Sequence, residues 1–222
     1  MATLYIVRHG QASFGADDYD VLSPTGHKQA EAVGRALASQ GVTPDAWIMG
    51  DMRRHRETMA GIMQGMGVEG VTPEVHAGLN EYDFGALNAA KLKAAGLVPK
   101  TPIDRRTYFR TLRDVVQEWH RDEIPDPYET YGAFRDRVED ARRLCMREGV
   151  QTVLAVSSGG AIGQMIARLL DAPPLTQVKL QLQMKNCAVN RIVYSANNSY
   201  LHGFNETPHI DASNEAEMLT YS

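Results

Sequence analysis

The sequence lacks most of the features that would place it in a membrane, in a secreted disulfide scaffold or on nucleic acid. It has two cysteines, Cys145 and Cys187, far apart and each in apolar surroundings. That count excludes a disulfide framework, and a reduced pair in a cytoplasmic protein is expected. Long hydrophobic runs are also absent near the start: Leu4 to Val7 is a short apolar stretch stopped by Arg8. Such a stretch fits neither a signal-peptide core nor a transmembrane span, so no membrane association is expected. Charge of one sign is missing too, with 23 Lys and Arg against 27 Asp and Glu for a net charge of −4. General binding to nucleic acid or to an acidic membrane is therefore excluded, and a polyanion would need a local basic pocket. There is no repeat and no low-complexity tract. None of the seven histidines forms a helix-spaced ligand pair with another, so no metal site is expected.

What is present suffices for one globular domain. At 222 residues and 43% hydrophobic, the chain can bury a substantial core. Leu4 to Val7, Ala46 to Met49, Val153 to Val156 and Ala188 to Tyr194 read as strands, with a weaker one over Val71 to Val75. Between them lie helical segments. One opens at Ser23-Pro24 and ends at Gly41; another carries a Met59, Met63, Met66 core stripe. A long one has Phe134, Val138, Ala141 and Cys145 on one face, and the last runs through Leu170. This alternation predicts an α/β fold: a mostly parallel sheet with helices on both faces. Residues 88 to about 130 carry basic helical stretches (Lys91, Lys93, Arg105, Arg106, Arg110, Arg113) broken by Pro99, Pro102, Pro125 and Pro127. They are expected to form a helical cap inserted into the single 1–222 domain, over one end of the sheet.

Four motifs carry chemistry, three of them at strand exits, where ligands bind in such sheets. Arg8-His9-Gly10-Gln11 places an imidazole able to attack phosphorus beside a guanidinium whose fork matches phosphate. Asp51-Met52-Arg53-Arg54-His55-Arg56-Glu57-Thr58 brings a second arginine to a helix start; Arg53 and Arg56 read as a solvated face. Leu79-Asn80-Glu81-Tyr82-Asp83-Phe84-Gly85 offers a carboxyl group to move the proton of the departing alcohol. Glu81, flanked by apolar residues, is the first candidate and Asp83 competes with it. Val156-Ser157-Ser158-Gly159-Gly160-Ala161 can cradle an anion with backbone N–H groups and hydroxyls, or simply be a tight connection. It lacks the Gly-Lys-Ser/Thr ending of a P-loop and the Gly-x-Ser-x-Gly of a nucleophile elbow.

Taken together, the four motifs resemble those of the histidine phosphatase superfamily, which includes the cofactor-dependent phosphoglycerate mutases. Arg8-His9-Gly10, the segment from Leu22 to Ala30, Met52-x-Arg54-x-x-Glu57-Thr58 and Leu79-Asn80-Glu81 with Phe84-Gly85 carry the resemblance over nearly the whole chain. It implies His9 as nucleophile, Arg8 and Arg54 as phosphate ligands, Glu81 as proton donor, and Ser158, Gly159 and Gln11 as further phosphate contacts. It further implies a phosphorylated small-molecule substrate, no cofactor, and a homodimer by family habit.

One position departs from the family pattern. Ser158 stands where a Ser-His-Gly histidine is usual, and losing a charged donor of this kind costs on the order of 10²–10³ in rate. His209 resembles a tail histidine of the family, with no direct role expected. The leading expectation is a phosphomonoester hydrolase. A phospho-ligand binding module with little catalysis is the alternative that Ser158 motivates. A mutase is disfavoured, because Gln11-Ala12-Ser13-Phe14 replaces the Glu-Ser and Trp-Asn found there. The basic residues of the insertion suggest extra negative charge on the substrate, or else only a solvated face.

Overall fold

A computed structural model describes residues 1–13, 20–98 and 105–221, the side chain of Arg105 excepted. Phe14, Pro99 and Pro102 lie outside the described residues, as do residues 99–104 of the expected insertion.

The strands are β1 (Ala2–Arg8), β2 (Ala46–Met49), β3 (Glu74–Val75), β4 (Thr152–Ser157), β5 (Val189–Tyr194) and β6 (Ser199–Glu206), in one sheet of order β3-β2-β4-β1-β5-β6. β1, β2, β3 and β4 run parallel, with Leu4 opposite Val153 and Ile6 opposite Ala155. β5 and β6 add an antiparallel edge, Leu4 facing Ile192 across it. The sheet is mostly parallel, as expected. β3 is shorter than the expected Val71 to Val75: only Glu74 and Val75 pair, both exposed.

The helices are α1 (Pro24–Ser39), α2 (Arg53–Met66), α3 (Phe84–Ala94), α4 (Arg105–His120), α5 (Tyr131–Cys145), α6 (Gly159–Leu169), α7 (Leu175–Gln183) and α8 (Glu215–Met218). Ser23 caps α1 through its hydroxyl on the Gly26 N–H, with Pro24 at the first position, where its missing donor costs nothing. Alternate residues of the central strands supply two cores. Val7, Trp47, Met49, Leu154 and Val156 pack on Ala30, Val33 and Leu37 of α1 and Met59 and Ile62 of α2. Leu4, Ile6, Ile48, Val153 and Ala155 pack on Phe134 of α5, Ile162 of α6 and Trp119 of α4. The methionine stripe of α2 is core packing, with Met59 buried and Met63 and Met66 partly so. Because β1, β2 and β4 are parallel, the loops after Arg8, Met49 and Ser157 leave the sheet at the same end.

Candidate active site

At that end a cavity of about 710 Å³ is lined by Arg8, His9, Arg54 and Glu81, brought together from β1, α2 and the loop before α3. His9 is 3% exposed, and its Nδ1–H donates to its neighbour's carbonyl, Gly10 O, at 2.8 Å. With Nδ1 as the donor, the Nε2 lone pair is the one left for attack. The Gly10 N–H in turn meets Thr58 Oγ1 at 3.0 Å, and that hydroxyl donates to Arg54 O at 2.6 Å. Thr58 thus ties the first two motifs into one unit. Gly10 is required for closeness: a Cβ there would stand 2.6 Å from Gly26 O.

Both arginines are held rigidly. Arg8 donates to the carbonyls of Met184 and, at 3.1 Å, Tyr221. Arg54, 5% exposed, pairs with Asp20 at 2.7 Å. Residues 214–221 are stitched beneath the site: Gln29 Nε2 donates to Met218 O at 2.7 Å and to Thr220 Oγ1 at 2.8 Å, and the Asn186 N–H to Thr220 O at 2.9 Å.

Glu81 is half-buried, with its carboxyl turned inward so that Oε2 accepts the Gly160 N–H at 2.9 Å. Only glycine allows this, since a Cβ at 160 would lie 2.1 Å from Glu81 Oε1. The loop bearing Glu81 is pinned from both sides. Ser157 Oγ donates to Leu79 O at 2.6 Å, and Arg137 Nη1 donates to Ala77 O at 3.2 Å and Asn80 O at 2.9 Å. Asp83, the competing carboxylate, is occupied as the N-cap of α3, accepting Ala86 N–H at 2.8 Å.

The electrostatics favour one pair of protonation states. Burial first, then Arg54, Arg8 and His55, hold His9 well below the ordinary 6.5. Burial raises Glu81 above the ordinary 4.5, against the Gly160 N–H and the two arginines. With ordinary values a neutral imidazole and a protonated carboxyl would not both be the majority forms at any pH. Each shift closes that gap from its own side, which suits a nucleophile beside an acid.

Three expected phosphate contacts are not brought to the cavity. Gln11 Oε1 accepts from Ser23 Oγ at 2.7 Å, because its side chain faces the start of α1. Ser158 is fully buried and shares a 2.8 Å hydrogen bond with His55 Nε2. Gly159 lies beside Arg8, and the next N–H along the turn already serves Glu81. His209 is also buried away from the cavity, and burial lowers it to about 4.

His55 is the residue that motif reading passed over. It is fully buried, its ring centroid is 5.8 Å from that of His9, and burial followed by Arg54 keeps it well below 6.5. Helical phase carries the signal, since 55, 58, 59 and 62 fall on the inward face of α2. Among the described residues there is no cluster of three or more metal-ligating side chains, and no helix is long and apolar enough to cross a membrane.

Comparison with known proteins gives a consistent result. A model of the histidine phosphatase superfamily (branch 1) matches residues 4–207. The chain is 25% identical over 223 residues to a probable phosphoglycerate mutase of Yersinia enterocolitica, covering 95% of this chain and 96% of that one. It is 30% identical over 172 residues to a broad-specificity phosphatase of Saccharomyces cerevisiae, covering 73% and 68%. Among solved structures, the α-ribazole phosphatase of Shigella flexneri superposes with a TM-score of 0.66 over 92% of this chain and 96% of that one, at 21% identity, a likeness of fold.

Proposed function

The chain belongs to the histidine phosphatase superfamily, and we propose that within it this protein hydrolyses phosphomonoesters through a phosphohistidine at His9, with Glu81 as proton donor. The observation that carries this reading is the shared cavity, in which His9, two arginines and one inward-turned carboxyl group meet. His9 Nε2 attacks phosphorus as the bond to the alcohol oxygen breaks, and Glu81 delivers its proton to that oxygen. Arg8 and Arg54 neutralise the charge that builds on the phosphoryl oxygens. Water then attacks the phosphohistidine, Glu81 takes a proton back, and inorganic phosphate leaves.

The test is to trap the intermediate from a phosphate-labelled ester. An acid-labile label on His9 together with release of inorganic phosphate is expected. Ligand binding without a label points to a binding module instead, and isomerisation of phosphoglycerate with little phosphate release to a mutase.

The Gly160 contact gives a second test. Gly160→Ala brings a methyl group to 2.1 Å from Glu81 Oε1 and forces the carboxyl to move, and a displacement of about 1 Å in a reacting group can cost 10²-fold. Turnover in Gly160→Ala is therefore expected to fall about 10²-fold with the fold retained, as read by circular dichroism. Unchanged turnover would remove Glu81 from the role of proton donor.

A third test concerns Ser158. Replacing it with the larger imidazole drives two rings into one sealed space, because His55 Nε2 already stands 2.8 Å from Ser158 Oγ. Ser158→His alone is expected to lose about 1–3 kcal/mol, read from the urea midpoint, and to gain no rate. His55→Ala combined with it opens the space and restores stability. A single variant that is both stable and faster would show that His55 swings aside.

A further inference from the structure

We propose that the alcohol carried on the phosphate is apolar and ring-bearing, with no second anionic group; this rests on reading the cavity as a phosphomonoester site. Beyond the four groups around the phosphate, much of the lining is hydrocarbon: Tyr82, Phe84, Tyr108, Phe109, Leu112 and Leu182. The rings are mounted stiffly. Tyr82 packs against Trp119 at 5.0 Å and edge-on to Phe134 at 5.5 Å, and its hydroxyl donates to Gln181 Oε1 at 2.9 Å. Phe84 and Tyr108, from α3 and α4, meet edge to face at 5.3 Å. Rings so arranged offer faces and edges that a further ring can meet without rearranging the wall.

Charge points the same way. Among the described residues the lining carries, besides Glu81, one more carboxyl group, Asp83, which repels a second anion, while Asn88 and Gln181 are neutral. Among the described side chains, the basic residues of the insertion do not line the cavity. Lys93, Arg106, Arg110 and Arg113 are exposed, Arg113 pairs with Asp114 at 2.9 Å, and Lys91 with Glu118 at 2.7 Å. Among the described residues, the cations lining the cavity are Arg8 and Arg54, both beside His9. Size agrees: about 710 Å³ lies within the roughly 300–1,000 Å³ that suits ligands of a few rings, well above the needs of a three-carbon acid.

The experiment compares two non-hydrolysable ligands that share a phosphonate and differ at the far end, 2-phenylethylphosphonate and 2-carboxyethylphosphonate. Calorimetry on the wild-type chain is expected to show the phenyl ligand binding at least about tenfold tighter, as burial of a ring predicts. Phe84→Ala and Tyr108→Ala should each narrow the gap through the phenyl ligand alone. Equal affinities, a preference for the carboxylate, or no binding of either ligand overturns the proposal. Turnover of 2-phenylethyl phosphate is measured separately. A clear binding preference without turnover upholds the substrate class and removes the hydrolytic reading.

Discussion

His9→Ala is expected to lower turnover of every phosphomonoester by on the order of 10⁴-fold or more, as loss of a covalent nucleophile does. Among the described residues no neighbour stands ready to replace it. His55 is the nearest imidazole, but its Nε2 is engaged by Ser158 and it does not reach the cavity. Glu81 is tied to the Gly160 N–H and biased toward its protonated form, which is a poor nucleophile. The fold should survive, because the imidazole's hydrogen bond runs only to Gly10 next door. Removing the ring should cost no more than about 1–2 kcal/mol. Steady-state assays beside an unfolding curve check both halves of the expectation. Activity above about one part in a hundred in a folded His9→Ala protein, well beyond what survives the loss of a nucleophile, would place the nucleophile elsewhere.

The second large effect is that of Glu81→Gln, which keeps shape and removes the transferable proton. A loss of about 10²–10⁴-fold is expected for alkyl esters, whose oxygen must be protonated to leave. A smaller loss is expected for 4-nitrophenyl phosphate, whose leaving group departs as the anion. The pH profile separates this from simple distortion. In the wild type, rate is expected to fall as pH rises through the raised Glu81 pKa, because the acid form disappears. It is expected to fall again at low pH as His9 protonates, below the ordinary 6.5. Glu81→Gln should erase the alkaline limb and leave the acid limb in place. Stability follows with a definite sign. A carboxyl group whose pKa is raised by folding favours the folded state fully below its unfolded pKa and loses that contribution as pH rises through the folded one. The stability of Glu81→Gln relative to wild type should therefore increase with pH across that window. Persistence of the alkaline limb in the variant would assign it to another group.

Much of this arrangement is legible in the linear sequence because the signals are local. Four of the strands announce themselves as short apolar runs, and Ser23-Pro24 announces α1. Arg8-His9-Gly10 and Arg54 stand at strand exits, where parallel topology gathers ligands. What is not legible depends on tertiary partners. β6 has the sequence SYLHGFNE, with no clean alternation, since it lies at the antiparallel edge and is nowhere fully buried. α7 and α8 are short and weakly patterned, and α7 nevertheless supplies Gln181 to Tyr82. Local pattern leaves Glu81 and Asp83 open as rival acids; the structure separates them by making one an N-cap and burying the other's carboxyl. Gln11 reads as a phosphate contact because it follows the histidine motif, yet the chain turns and its side chain faces Ser23. His55 is hidden inside a basic run, where charge masks helical phase.

The carbonyls of Met184 and Tyr221 that hold Arg8 make affinity and order two sides of one linkage. Whatever stiffens Arg8 must also stiffen the segment that grips it. Phosphate in the cavity should therefore slow amide exchange across residues 214–221, and loosening of that segment should weaken phosphate by the same factor. On that expectation, residues 214–221 would report occupancy, their order rising and falling with what the cavity holds.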